Sequence, residues 1–189
     1  MGPLNSYEVA NDGTRLVLGS IWVPMRTGLD VSAQISQESG QLVSVSLTYE
    51  QSIASVEVFA ASKDQDTWSE TRYEIANKLE ATKVQPKMVD GSFGTEIHAV
   101  MPTYDQQGNA TIQAVRFLGI NGDRWFMRVT ISGLAATDEI ASKQLDELIA
   151  DLVVDRGSAP MAPGSRLPIS YPKQPAPPKA QAPTIHLEI

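Results

Sequence analysis

The chain contains no cysteine. This excludes disulfides, thiol nucleophiles and thiolate metal sites, and fits a reducing, cytoplasmic setting. Histidine is nearly as scarce, with only His98 and His186, too few for a paired-imidazole metal centre. Positive charge is in deficit: 15 Lys/Arg stand against 22 Asp/Glu, a net charge of −7. An acidic chain resists non-specific attraction to phosphate backbones and anionic membranes. No apolar run is long enough to span a bilayer, and "MGPLNSYEVANDGTRL" has no apolar leader segment. Also missing are a Gly-x-Ser-x-Gly elbow, a Walker loop and a Gly-x-Gly-x-x-Gly run. "DGSFGTE" comes closest to a phosphate cradle, but it leads into a strand rather than a helix and reads as a turn. These absences lead to an expectation of no cofactor, no metal and no enzymatic activity.

Proline is rare before Arg156 and common after it, with eight of the twelve beyond that point. Residues 1–156 carry 12 Lys/Arg and 21 Asp/Glu, or −9, whereas the remainder carries 3 and 1, or +2. An acidic globule is thus joined to a mildly basic, Pro-rich C-terminal tail. Four stretches are expected: a flexible N-terminus over 1–13, an α+β domain over 14–156, an extended segment over 157–172 that can lie along the domain, and a disordered tail over 173–189. Met161, Leu167, Ile169 and Tyr171 are the apolar residues that docking of the third stretch would use.

Within the domain, hydrophobic periods of two and 3.6 alternate. "RLVLGSIWV" reads as a strand, and "LDVSAQISQESGQLVSVSLTYE" as a hairpin around Glu38-Ser39-Gly40. "IASVEVFAA", "FGTEIHAVMP", "ATIQAVRFLGI" and "RWFMRVTIS" add further strands. A first helix opens with Thr67 and Glu70 at capping-box spacing and repeats Trp68, Ile75 and Leu79. A second helix starts near Thr137 or Asp138 and stripes Ala141, Leu145, Leu148, Ile149 and Leu152 on one face, with acidic and lysine residues opposite. With few parallel crossovers available, the order predicts an α+β fold, a mainly antiparallel sheet with two amphipathic helices.

The stretch "FLGINGDRWFMR" concentrates the candidate binding residues. Asn121-Gly122 is a strong hairpin signal. With these two as the loop, Phe117 opposes Phe126 and Leu118 opposes Trp125. Alternation then places Ile112, Ala114, Leu118, Ile120, Trp125, Met127, Val129 and Ile131 on a core face interrupted only by Arg116. The opposite face carries Phe117, Arg124, Phe126 and Arg128, an aromatic pair flanked by guanidinium groups. An open face of this kind stacks bases of single-stranded nucleic acid. A covered one, under the second helix or the Pro-rich segment and with its arginines paired to acids, is ordinary packing. The acidic charge favours the covered arrangement. His98, alone in a strand, reads as structural. Glu70, Arg72 and Glu74 read as a solvated helix face with ion pairs rather than an acid–base site.

Taken together, "RLVLGSIWVP", "WSETRYEIANKL", "GSFGTEIHAVMP", "RFLGINGDRWFMR" and "RGSAPMAPGSRLPISYP" resemble an uncharacterised actinobacterial family, domain of unknown function 3710. The resemblance covers nearly the whole chain and implies a cytoplasmic protein without an assigned activity. By element order the layout also resembles the Mog1/PsbP-like fold. The functional expectation is a non-enzymatic cytoplasmic protein-interaction domain, docking a protein partner through a sheet edge or the tail. The alternative is a single-stranded nucleic-acid binder using Phe117, Arg124, Phe126 and Arg128.

Overall fold

A computed structural model describes residues 2–10, 12–63, 65–105 and 107–171. In chain order the strands are β1 (Leu4–Asn5), β2 (Arg15–Leu18), β3 (Ile21–Pro24), β4 (Leu29–Ile35), β5 (Leu42–Tyr49) and β6 (Ser52–Ala60). Helix α1 (Thr67–Ala81) follows, then β7 (Lys87–Gly91), β8 (Gly94–Tyr104), β9 (Ala110–Asn121) and β10 (Trp125–Gly133). A short 3-10 turn at Leu134–Ala136 leads into α2 (Glu139–Ala150), and β11 (Val153–Val154) closes the domain. The fold is α+β, with every pairing in the larger sheet antiparallel.

Seven strands form that sheet in the order β4-β5-β6-β10-β9-β8-β7, and four short ones form a second sheet, β1-β11-β3-β2. Side-chain alternation divides the large sheet into two faces. One carries Val45, Leu47, Ala54, Val56, Val58, Leu118, Met127, Val129 and Ile131 against Leu145, Leu148 and Ile149 of α2 and Ile21 and Val23 of the small sheet. The other carries Ile97, Ala99 and Phe117 against Ile75, Ala76 and Leu79 of α1. Trp68 seats α1 by crossing β9 at Gly119, where an added Cβ would meet its ring at 2.3 Å. The two helices therefore cover opposite faces of one sheet.

Several local expectations are corrected. "RLVLGSIWV" is not one strand but β2 and β3, folded back at Gly19-Ser20 with Leu18 opposite Ile21. Gly19 has φ +69, and a Cβ there would meet the Pro168 carbonyl oxygen at 2.6 Å. The N-cap of α1 is Asp66, one residue before Thr67, because its carboxylate accepts from the Ser69 backbone at 3.2 Å. Strand β7 had no signal: all five of its residues are exposed, so no alternation marks it. Residues 1–13, expected as a flexible N-terminus, contribute β1, which pairs in parallel with β11.

The 157–171 segment lies along the sheet. Arg166 bridges Phe59 of β6, Ala60 donates to the Ser165 carbonyl at 2.8 Å, and Leu167 donates to Val58 at 2.9 Å. Strand β5 pairs with β6 only from Val45–Val56 onward, which leaves the far half of β6 open on that side. The segment fills the opening and buries Leu167. The disordered tail expected over 173–189 lies outside the described residues.

Candidate functional site

The expected hairpin register is wrong by four residues, the centre of the turn lying two residues further along the chain. Phe126 pairs with Asn121, Met127 with Ile120, and Phe117 with Thr130 rather than Phe126. The turn is Gly122–Trp125, closed by the Gly122 amide donating to the Trp125 carbonyl at 2.8 Å, with Arg124 at φ 65. Asn121 is withdrawn from the turn to serve α1. Its side chain donates to Asp66 at 2.8 Å and accepts from the Trp68 backbone at 3.2 Å. Gly122 is needed for close approach, since a Cβ there would sit 2.0 Å from the Trp125 ring. The register displacement is even, so the assignment of residues to faces survives it.

Phe117, Phe126 and Arg128 therefore keep a common face, but that face is packed over rather than open. Phe126 is 3% exposed, with ring centroids 6.2 Å from Phe59 and 6.4 Å from Trp68. Phe117 packs among the α1 contacts. Arg124 is exposed at the turn. Arg128 donates from Nε to Glu57 at 2.8 Å and lies 5.5 Å from the Phe59 centroid. Arg166 reaches the same Glu57 at 2.7 Å and lies 5.4 Å from the centroid of the same ring. The covering element is α1, not α2, together with Arg166 of the C-terminal segment. Phe59, absent from the candidate set, joins Phe126 to the two arginines. Its position opposite Phe126 became visible only through the pairing of β6 with β10.

Arg116, the one break in the core face, organises a second site. It is 3% exposed, as Glu96 and Asp146 are at 1% and 5%. Its Nε and Nη2 bond Glu96 at 2.9 and 3.0 Å, and Nη2 also reaches Asp146 Oδ1 at 3.1 Å. Nη1 donates to the Ala135 carbonyl at 3.1 Å and to Ser142 Oγ at 2.6 Å. All the guanidinium donors are therefore used, as a buried cation requires. Ser92 donates to Asp146 at 2.7 Å, and a ring nitrogen of His98 lies 3.2 Å from Glu96. Glu96 fits beneath β7 only because residue 91 is glycine; a Cβ there would stand 1.9 Å from its Oε1.

Two carboxylates face one guanidinium, and the electrostatics follow from that imbalance. Burial raises the pKa of Asp146, helped by the nearby charge of Glu96; the Ser92 hydroxyl and Arg116 act in the opposite direction. Burial also weighs against the charge on Arg116, but the two carboxylates outweigh it and hold the guanidinium above its ordinary value. The cluster ties α2 to β8 and β9. Two signals in the sequence pointed to it: an arginine on an apolar face demands a buried anion, and Glu96 has the inward parity on β8. Asp146 was hidden beside the apolar stripe of α2, where helical spacing had assigned acids to the outside.

Above this cluster a cleft of about 650 Å³ opens between β7 and the start of α2. Its wall includes Asp90, Asp138, Glu139 and Lys143 in addition to the buried triad. Across His98, Ala136 and Thr137 it continues into a second hollow of about 540 Å³, lined by Val84, Val100, Pro102, Ile112 and Ala114. This second half is the core face of β8 and β9 running on past the start of α2: Val100 pairs with Ala114, and Pro102 with Ile112. Val100 is 55% exposed and Ile112 73%, so Ile112, expected on the core face, is not buried: it has the inward parity but no helix lies over it. One groove thus has an acidic half and a half with an aliphatic floor, whose rim also carries Lys83 and Lys87.

The profile of the family described as "Protein of unknown function (DUF3710)" matches residues 2–178. The chain belongs to that family. No curated protein matches the chain, and no solved structure does. The Mog1/PsbP-like comparison accordingly rests on element order. Among the described residues no helix is long and apolar enough to cross a membrane.

Proposed function

We propose that this family member is a non-enzymatic, cytoplasmic protein-interaction domain whose groove takes an extended peptide carrying a cationic group and aliphatic side chains. The observation that carries the reading is the uncovered strip Val100, Pro102 and Ile112. It continues a core face into solvent at the sheet end bordered by the edge strand β7. Contiguous exposed apolar surface of this kind marks interaction sites, and an open edge adds main-chain donors and acceptors for an extended partner. The acidic half supplies the selectivity. Asp90, Asp138 and Glu139 favour a lysine or arginine, while Val100, Ala114 and Ile112 accept an aliphatic side chain. The lack of cysteine accords with a reducing compartment. A single-stranded nucleic-acid binder would need open ring faces on Phe117 and Phe126, and α1 lies over both.

The test is a selection of displayed random peptides on the immobilised protein. The expected result is enrichment of Lys or Arg followed, several residues later, by aliphatic residues. No enrichment over an uncoated control, or enrichment of acidic peptides, overturns the reading.

A further inference from the structure

We propose that the chain has a second binding site, separate from the groove, that takes a small sugar or polyol phosphate. A cavity of about 340 Å³ lies where three stretches of chain meet: residues 5–7 after β1, residues 123–124 in the β9–β10 turn, and residues 154–158 at and after β11. It shares no lining residue with either half of the groove. Long-range bonds hold the three stretches together. Trp125 donates its indole N–H to the Asn5 side chain at 2.7 Å, β1 pairs with β11, and Ser6 donates to Asp155 at 3.0 Å. The walls are thus positioned before any ligand arrives, which lowers the cost of binding one.

Two arginines line this cavity, in a chain whose net charge is −7. Among the described residues neither Arg124 nor Arg156 forms an ion pair. Arg156 donates from Nη1 to the Ala159 carbonyl at 2.9 Å, and its buried Nε has no acceptor. That guanidinium is held in place without being neutralised. Arg124 has φ 65, a backbone conformation that glycine or asparagine adopts at less cost. Its carbonyl is fixed by the Ala61 amide at 3.0 Å. Turn geometry alone does not call for an arginine here. Guanidinium forks match the oxygens of a phosphate, whose charge approaches −2 at neutral pH. Two aspartates in the wall define the rest of the ligand. Asp123 accepts from the Tyr7 hydroxyl at 3.1 Å, and Asp155 accepts from Ser6 and from the Gly157 amide, each through one carboxylate oxygen. The second oxygen of each is still an acceptor. Beside a bound anion these carboxylates need donors that bring no negative charge, and sugar hydroxyls are such donors. The volume lies at the small end of ordinary ligand sites, which suits one sugar unit and its phosphate.

Amide NMR titration of the full chain tests this, using the terminal phosphate esters of ribose, glucose and glycerol, with inorganic phosphate and ribose as controls. At least one ester is expected to shift the amides of Ser6, Gly157 and Ser158 saturably. Inorganic phosphate should bind at least about tenfold more weakly, and ribose should not bind. Arg156→Gln and Arg124→Gln should each weaken binding of the ester at least about tenfold. Arg124 is exposed, so its variant keeps the test sharp even where Arg156→Gln fails to fold. Absence of saturable shifts with all three esters overturns the proposal. Shifts confined to another surface, or undiminished affinity in a folded Arg124→Gln chain, overturn it as well. Inorganic phosphate binding as tightly as the esters also overturns it, because the aspartates then contribute nothing. Failure here leaves the groove reading untouched, since the two sites have no residue in common.

Discussion

Trp68 of α1 lies over Phe126 of β10, ring centroids 6.4 Å apart and planes inclined by 25°. The contact fixes where the helix sits, because Trp68 also donates its indole N–H to the Thr95 carbonyl at 2.7 Å and crosses β9 at Gly119. It also explains why the aromatic–basic face of the hairpin is packing rather than an open platform.

Phe126→Ala is therefore expected to destabilise by about 3–5 kcal/mol, the usual range for deleting a buried large aromatic. Trp125→Ala, on the opposite face, should cost a similar ~3–5 kcal/mol. Gly119→Ala should cost about 1–3 kcal/mol by pushing Trp68 off the sheet. Denaturant unfolding measures all three. A Phe126→Ala protein with wild-type stability would show that the ring is open to solvent.

The buried triad gives a second expectation. Arg116→Leu leaves Glu96 and Asp146 without their shared cation and should cost about 3–5 kcal/mol, the usual penalty for breaking one side of a buried pair. Gly91→Ala should also destabilise, since it displaces Glu96 from the same cluster. Unfolding midpoints near those of wild type for both variants would mean the cluster is not buried as described.

The raised pKa of Asp146 gives the pH dependence a definite sign. The folded protein holds a proton there at pH values where the unfolded chain, with a value of 3.8, has released it. This contribution to stability is full below 3.8 and is lost as pH rises through the folded-state value. The stability of wild type relative to Asp146→Asn should accordingly fall as pH rises above about 3.8 and then level off. Paired denaturation curves across that window check it; a difference that rises with pH contradicts the assignment.

Asp66 has the opposite sign. Hydrogen bonds from the Ser69 hydroxyl, the Ser69 amide and Asn121 lower its pKa. Its stabilisation is present above 3.8 and lost as pH falls through the folded-state value. Asp66→Ala should cost about 0.5–2 kcal/mol at neutral pH, as for other N-caps, with the cost shrinking in acid. An acid-independent cost would mean that the cap does not act through its charge.

The parts of the fold legible in the sequence were those with strong periodicity. The stripe Ala141, Leu145, Leu148, Ile149 and alternation in β6 and β10 identified a helix and strands, and inward parity survived even where the hairpin register did not. The register failed because Asn121-Gly122 carries the local pattern of a turn, while long-range contacts gave both residues other work: Asn121 at the α1 cap, Gly122 under Trp125. Strand β7 was invisible because an edge with Lys87, Met88, Val89 and Asp90 all exposed has no period to detect. The groove was legible only in fragments. Arg116 on an apolar face signalled a buried anion, but the meeting of Glu96 with Asp146 depends on β8 and α2 packing across the sheet. The bareness of Ile112 depends on where α2 begins.

The most direct test of the groove is the affinity of a labelled basic–aliphatic peptide from the display selection, measured by fluorescence anisotropy against wild type, Ile112→Glu and Arg128→Ala. Ile112 is 73% exposed, so its substitution should leave stability within about 0.5 kcal/mol. The account predicts that Ile112→Glu weakens binding at least about tenfold, or ~1.4 kcal/mol, and that Arg128→Ala leaves it unchanged. Undiminished affinity in a folded Ile112→Glu protein, or loss of binding with Arg128→Ala instead, would contradict it.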